Sequence, residues 1–289
     1  MTQTTEPLAD HHNALLQGQG RLHLRTELMR ESLVSHDLQT RLDGKTHAEV
    51  SLLPWAKFIN LGGSSVIDQG AKVLLPVLDM LIALRQEHPF IVSVGGGARM
   101  RHTLEIGLDL GLPVGGLAQI VGAVEEQNAH IVHALMSRFG GVSMCREHFT
   151  ELPKYLLTGM TPIVISVPPY HFWEPPPKRG RLPENGSDLG AFITAEVLGV
   201  NQMIFVKDQD GQFDKNPIKH KNAKLLKTCT AKELLAYDDN DLILERSVLE
   251  CLERARQVKQ IYVVNGKDPE AIKRAFAGDN SGTIIAQSK

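Results

Sequence analysis

Apolar and polar positions along this chain keep two rhythms. Short apolar runs, four to six residues long, occur at Phe58 to Leu61, Phe90 to Val94, near Val142 to Cys145, Pro162 to Val167, Gln202 to Val206, Ile261 to Val264 and Thr283 to Ala286. Runs of that length, rich in Val, Ile and Phe, are the mark of strands covered on both faces. Between them leucines and valines recur every three or four residues over Gln69 to Arg85, Gly116 to Gly140, Ser187 to Leu198, Glu245 to Gln257 and Pro269 to Ala277, which predicts helices. Strand, helix and strand in succession make parallel crossovers. The expected fold is α/β, a three-layer sandwich with a mostly parallel central sheet and helices on both faces. Met1 to Gly20 has no periodic apolar face, and Leu22 to Leu42 carries leucines at mixed helical spacing. The pattern therefore divides the chain into an N-terminal arm with a short amphipathic helix, 1–50, and one domain, 51–289.

Composition narrows the choice of partner. The 289 residues are 42% hydrophobic, enough for a full core. A formal net charge of -2 supplies no general drive toward nucleic acid or an anionic membrane, so neither is expected as a partner. No apolar run approaches the roughly 20 residues of a membrane span. Cys145, Cys229 and Cys251 are far apart and form no CxxC pair, and no secretory apolar core stands at the N-terminus, which fits a soluble protein in a reducing cytoplasm.

Candidate chemistry gathers where strands stop. The first strand ends in Gly62-Gly63-Ser64-Ser65 and the second in Gly95-Gly96-Gly97, followed by Arg99 and Arg101. Glycine lets backbone N–H groups point at an anion with no Cβ in the way, and a following helix N-terminus favours negative charge. Strands joined by one crossover bring the two loops side by side. Ser187-Asp188 reads as the cap of a helix. The strand at Gln202 to Val206 opens into Lys207-Asp208-Gln209-Asp210-Gly211-Gln212-Phe213, with Asn216-Pro217 beyond. Lysine neutralises phosphate oxygens and carboxylates hold Mg²⁺ or its waters, so this turn suits a triphosphate.

A second group of residues has a different chemistry. On the long helix Gln119, Glu126, His130, His133 and Ser137 share one face, with Gln127 and Asn128 on its flank. That face fits a divalent metal or an oxyanion, and equally a solvated surface or a subunit contact. His171 stands among Tyr170, Phe172 and Trp173 in a proline-rich stretch too stiff for a helix or sheet interior, where it fits a ligand role or packing against a partner.

The order Leu61-Gly62-Gly63, Gly95-Gly96-Gly97, Asp188 at a helix start, Lys207-Asp208-Gln209-Asp210-Gly211 with Asn216-Pro217, and Gly282-Thr283 resembles the amino acid kinase superfamily, which includes uridylate and aspartate kinases. Ser65 to Gly70, Ala98 to His102, Gly111 to Gly115, Glu126-Gln127-Asn128, Pro168-Pro169-Tyr170 and Val263 to Gly266 are similar to the molybdenum-storage branch of that superfamily. The resemblance implies ATP and Mg²⁺ held by Gly62, Gly63, Ser64, Gly95, Gly96, Gly97, Arg99, Asp188, Lys207, Asp208, Asp210, Phe213, Asn216 and Pro217. It implies molybdate or tungstate as stored cargo, deposited as polyoxometalate with Glu126, Gln127, His130, His133 and His171 around it, in a homo- or hetero-hexamer of related subunits. It also exposes departures. Asn60 stands where the superfamily places a lysine, which leaves Lys207 and Asp210 as the catalytic candidates, and Pro183 to Ser187 lacks the arginine expected of the storage subunits. The alternatives are a uridylate or amino acid kinase, a catalytically inactive ATP-binding scaffold, and a store for a divalent metal.

Overall fold

A computed structural model describes residues 51–168 and 186–288. The expected arm at 1–50 and His171 lie outside the described residues.

The strands are β1 (Lys57–Leu61), β2 (Phe90–Val94), β3 (Gly141–Ser143), β4 (Thr161–Ile165), β5 (Gln202–Lys207), β6 (Thr228–Thr230), β7 (Gln260–Asn265) and β8 (Thr283–Ala286). They form one sheet in the order β3-β4-β2-β1-β5-β7-β8-β6, parallel throughout except where β7 meets β8. The helices are α1 (Ala71–Leu84), α2 (Gly97–Asp109), α3 (Val114–Met136), α4 (Leu152–Leu157), α5 (Ser187–Leu198), α6 (Ala231–Leu234), α7 (Arg246–Arg254) and α8 (Pro269–Phe276). The apolar runs and helical periods of the sequence are these elements, with ends moved by a few residues. The largest shift is at α3, which ends at Met136, four residues before Gly140, where the chain tightens into a 3-10 turn over Ser137–Phe139.

Two cores sandwich the sheet, and the strand period of two assigns each side chain to one of them. Phe58, Met203 and Phe205 point to the layer holding α4, α5, α6 and α7. Ile59, Leu61, Ile204 and Val206 point to the layer holding α1, α3 and α8. Asn60 shares the parity of Phe58 and is 1% exposed, a polar group inside an otherwise apolar strand. From β1 the chain crosses to β2, β4 and β3 on one side and later to β5 on the other. The reversal opens a crevice at the carboxyl ends of β1, β2 and β5, where open parallel sheets bind ligands.

Candidate functional site

That crevice is a pocket of about 180 Å³ lined by Asn60, Gly62, Gly63, Ser64, Gly95, Gly96, Gly97, Arg101, Ser187, Asp188, Lys207 and Glu245. The glycine loops touch: a Cβ on Gly63 would overlap the backbone of Gly97, and one on Gly97 would overlap Asp68. Gly97 also has φ +70, which glycine alone adopts without strain. Asp68 fixes the second loop by accepting from the Ala98 N–H at 2.6 Å.

The cations divide their work. Lys207 Nζ donates to both oxygens of Asp188, at 2.7 and 2.6 Å, with the two side chains 12% and 11% exposed. Arg101 donates to Ser64 Oγ at 2.8 Å and lines the pocket. Arg99, expected there as well, is instead turned toward α3, where it bonds Gln127 Oε1 at 3.0 Å and Asn128 Oδ1. Gln127 thus faces Arg99 and does not join the residues expected around a cargo.

Two features of the pocket were not legible in the sequence. The Asn60 amide donates to Ser93 Oγ and Ser166 Oγ, both at 2.9 Å, while its Oδ1 is buried without a partner. Helix α5 is not capped by Ser187 or Asp188; its cap is the backbone of Gly186. The carboxylate of Glu245 accepts from the N–H groups of Gly186 at 2.9 Å, Asp188 at 3.2 Å and Leu189 at 3.1 Å, from just before α7. Burial, with the charge of Asp188 beside it, pushes the Glu245 carboxyl up to about 7. Spacing could not reveal a cap lent by a residue so far along the chain.

The acidic turn after β5 splits between structure and surface. Asp210 accepts from Asn265 Nδ2 at 2.8 Å and belongs to a neighbouring hollow of about 230 Å³ with Lys227, Asn265 and Asp268. Asp208 lies half-buried beside Lys207. Phe213 forms a bridge with Leu225, and the Asn216 side chain ties its loop to the Asp239–Asp241 turn, accepting from Ile218 N–H and donating to the Asn240 carbonyl. Asn216 and Pro217 therefore shape the turn and line neither hollow.

The polar face of α3 lines a separate cleft of about 940 Å³, in which Gln119, Glu126, His130 and His133 face Cys145, Arg146, Glu147 and Pro168. Glu126 and His130 are exposed to it and His133 is half-buried. Among the described residues no three His, Cys, Asp or Glu side chains group as a metal ligand set, so the Glu126, His130 and His133 face is not a preformed divalent site. Burial draws the Arg146 guanidinium below its ordinary value, while Glu125, Glu147 and Glu126 work the other way. The Cys145 thiol, hydrogen-bonded to Glu147, is held above its usual range, which keeps it a neutral thiol. The buried carboxyl of this helix is not Glu126 but its neighbour Glu125, 0% exposed and pushed up to about 7 by burial. One residue along a helix turns the side chain by about 100°, from the cleft into the core.

Among the described residues no helix is long and apolar enough to cross a membrane. The sequence model of the amino acid kinase family matches residues 57–265, from the first residue of β1 to the last of β7. The beta subunit of the molybdenum storage protein of Azotobacter vinelandii is 37% identical over 261 residues, 90% of this chain and 96% of that one. A uridylate kinase of Methanothermobacter thermautotrophicus is 26% identical over 79% of this chain and 98% of its own length. Of solved structures, the uridylate kinase of Archaeoglobus fulgidus superposes with a TM-score of 0.64 over 80% of this chain and 100% of that chain, at 19% identity, a likeness of fold. The match from β1 to β7 and the 37% identical relative leave one conclusion, that the chain belongs to the amino acid kinase family, in the branch that holds the molybdenum storage subunits.

Proposed function

We propose that this chain is a storage subunit that binds Mg-ATP in the glycine crevice and deposits molybdate or tungstate in the cleft on the other side of α3. The observation that carries the reading is a glycine-walled crevice whose second loop is held by Asn128 of α3, the helix that lines the cleft with its other face. The crevice offers backbone N–H groups, Arg101 and Lys207 to phosphate oxygens. The cleft offers Gln119, His130, His133 and Arg146, donors suited to an oxyanion cluster.

The buried, unpartnered Oδ1 of Asn60 at the pocket wall fits a donor or a hydrated cation brought in with the ligand. When bound, Mg-ATP supplies a transferable phosphoryl group and the free energy of its release. Asp208, half-buried beside Lys207, is the carboxylate that would hold Mg²⁺ or its waters, and the ion would supply charge neutralisation to the phosphates. Lys207 holds positive charge at the pocket wall, and Asp188 fixes its direction. Asn60 adds no charge, so stabilisation of a transferring phosphoryl group falls to Lys207 and Arg101, and turnover by this chain alone is slow.

The test is to incubate the purified chain with tungstate or molybdate and Mg-ATP, desalt it, and measure metal per chain. Many metals per chain, dependent on ATP, are expected; one or fewer defeats the storage reading. The uridylate kinase relatives favour a second reading, a nucleoside monophosphate kinase. ADP release on addition of UMP, with no metal retained, would establish that one instead.

A further inference from the structure

Helix α5 brings its first residues, Ser187 and Asp188, to the crevice, and the amides of its start are already taken. The Glu245 carboxylate accepts from the N–H groups of Gly186, Asp188 and Leu189, in the place where a helix N-terminus receives a phosphate or a carboxylate. The side chain comes from the residue just before α7. The carbonyl of Glu245 accepts from Val248 N–H at 3.0 Å, and the flanking Leu244 and Val248 are buried in the core. The carboxylate is therefore held from the core side, independently of the loop it caps.

Capping alone does not call for this residue. Ser187 and Asp188 stand at the helix start with side chains that commonly cap, yet Ser187 donates to Glu125 and Asp188 holds Lys207. A glutamate brought from α7 puts a second carboxyl beside Asp188 in a pocket of about 180 Å³. The same pocket holds a further acceptor: Asn60 is 1% exposed, gives its amide N–H groups to Ser93 and Ser166, and keeps an Oδ1 with no partner. Asn60, Asp188 and Glu245 thus line the crevice with acceptors, while the glycine loops and Arg101 line it with donors. An anion finds its hydrogen bonds on the loops. At the α5 terminus it meets like charge and an oxygen that asks for a donor.

We infer that Glu245 is a specificity-determining residue: its carboxylate fills the anion seat at the α5 N-terminus, so the crevice that takes a triphosphate on its glycine loops has no place for a second substrate bearing a phosphate or a carboxylate. The inference rests on the proposed function for the triphosphate. A nucleoside monophosphate or an acidic amino acid is turned away at this wall by a residue of the chain itself. Removal of the side chain frees three N–H groups close to Lys207 and creates an anion site where the parent has none.

Calorimetry of the full chain at pH 8 decides the matter, with inorganic phosphate titrated in the presence of a saturating non-hydrolysable ATP analogue with Mg²⁺. The parent should bind the analogue and then take up no phosphate. Glu245→Ala should bind phosphate beside the analogue at least about tenfold more tightly than the parent does. Its Tm, lowered by loss of the cap, should rise on addition of phosphate while the Tm of the parent stays where it is; a residue that only caps the helix would give the lower Tm with no such response. Gly186→Ala serves where Glu245→Ala does not fold. Its backbone is extended, with φ −113°, and a Cβ there would overlap Glu245 Oε1, so the carboxylate is pushed off the amides without being removed. It too should gain phosphate binding. Phosphate bound by the parent beside the analogue, or no phosphate response in either variant, overturns the inference and leaves the nucleotide site standing. A parent that does not bind the analogue defeats the functional reading, and the inference with it.

Discussion

Lys207 and Asp188 form a nearly buried pair whose removal from one side strands a charge, which typically costs about 3 to 5 kcal/mol. Lys207→Met should therefore lower stability by about 3 kcal/mol and nucleotide affinity by about tenfold or more. The double variant with Asp188→Asn should regain most of the stability but not the affinity, and recovery of both would assign Lys207 a purely structural role. Glu125 and Glu245 make a second residue-scale prediction. Both carboxyls sit at about 7 in the folded chain, against 4.5 for an ordinary glutamate, because burial opposes their ionisation. Between those values the folded state holds more protons than the unfolded one, so stability is fully present at pH 4.5, falls as pH rises to 7, and levels off above it. Each group contributes at most about 3 kcal/mol to that fall. Urea midpoints at pH 5 and pH 8 should differ in this direction, and Glu245→Gln should reduce the difference; an equal drop at both pH values would show an ordinary carboxyl. None of this was visible in the sequence, where Glu125 and Glu126 are indistinguishable neighbours and Glu245 is one acid among several. Glycines and Lys207 were legible because their chemistry follows directly from the strand that ends beside them.

At the scale of elements, the crevice depends on how closely two loops and one helix approach. Gly63 has no room for a methyl group against Gly97, and a Cβ on Gly190 of α5 would overlap the Ser166 carbonyl at the end of β4. Gly63→Ala must move the loop after β1 away from the loop after β2. It should cost at least about 2 kcal/mol in stability, the scale of overpacking, and should weaken nucleotide binding by more than that loss of stability explains. Thermal melts with and without nucleotide separate the two effects: a variant still stabilised by nucleotide as strongly as the parent would show that the contact only packs the loops. Helix and strand periods placed both loops correctly at the sheet edge, since β1 and β2 pair in register from Lys57 and Phe90 onward. What the periods could not give was rotation about the helix axis to within one residue, which decides that Asn128 reaches the glycine loop while Gln127 meets Arg99.

Over the whole molecule, α3 carries two large apolar side chains outside its cores, Ile131 and Leu135, 40% and 39% exposed. The residues are four apart and so form one stripe, next to His130 and His133. Under the proposed storage function, a cargo of mineral anions has to be shut off from bulk water, and the described residues leave the cleft open. The stripe is where a second subunit would close it, burying apolar surface at about 25 cal/mol per Å². On that proposal a closed symmetric assembly is the expected outcome, and six chains of 31.9 kDa would give a native mass of about 190 kDa. The double variant Ile131→Glu, Leu135→Glu places two charges on the stripe and should dissociate the assembly, abolish retention of tungstate after desalting, and leave the affinity for Mg-ATP within about twofold, since the crevice is built from other elements. Native mass spectrometry with metal analysis reads both outcomes. An intact assembly that still holds its metal would place the closing interface elsewhere on the molecule, and a parent chain that is monomeric at micromolar concentration would mean that no cage is formed.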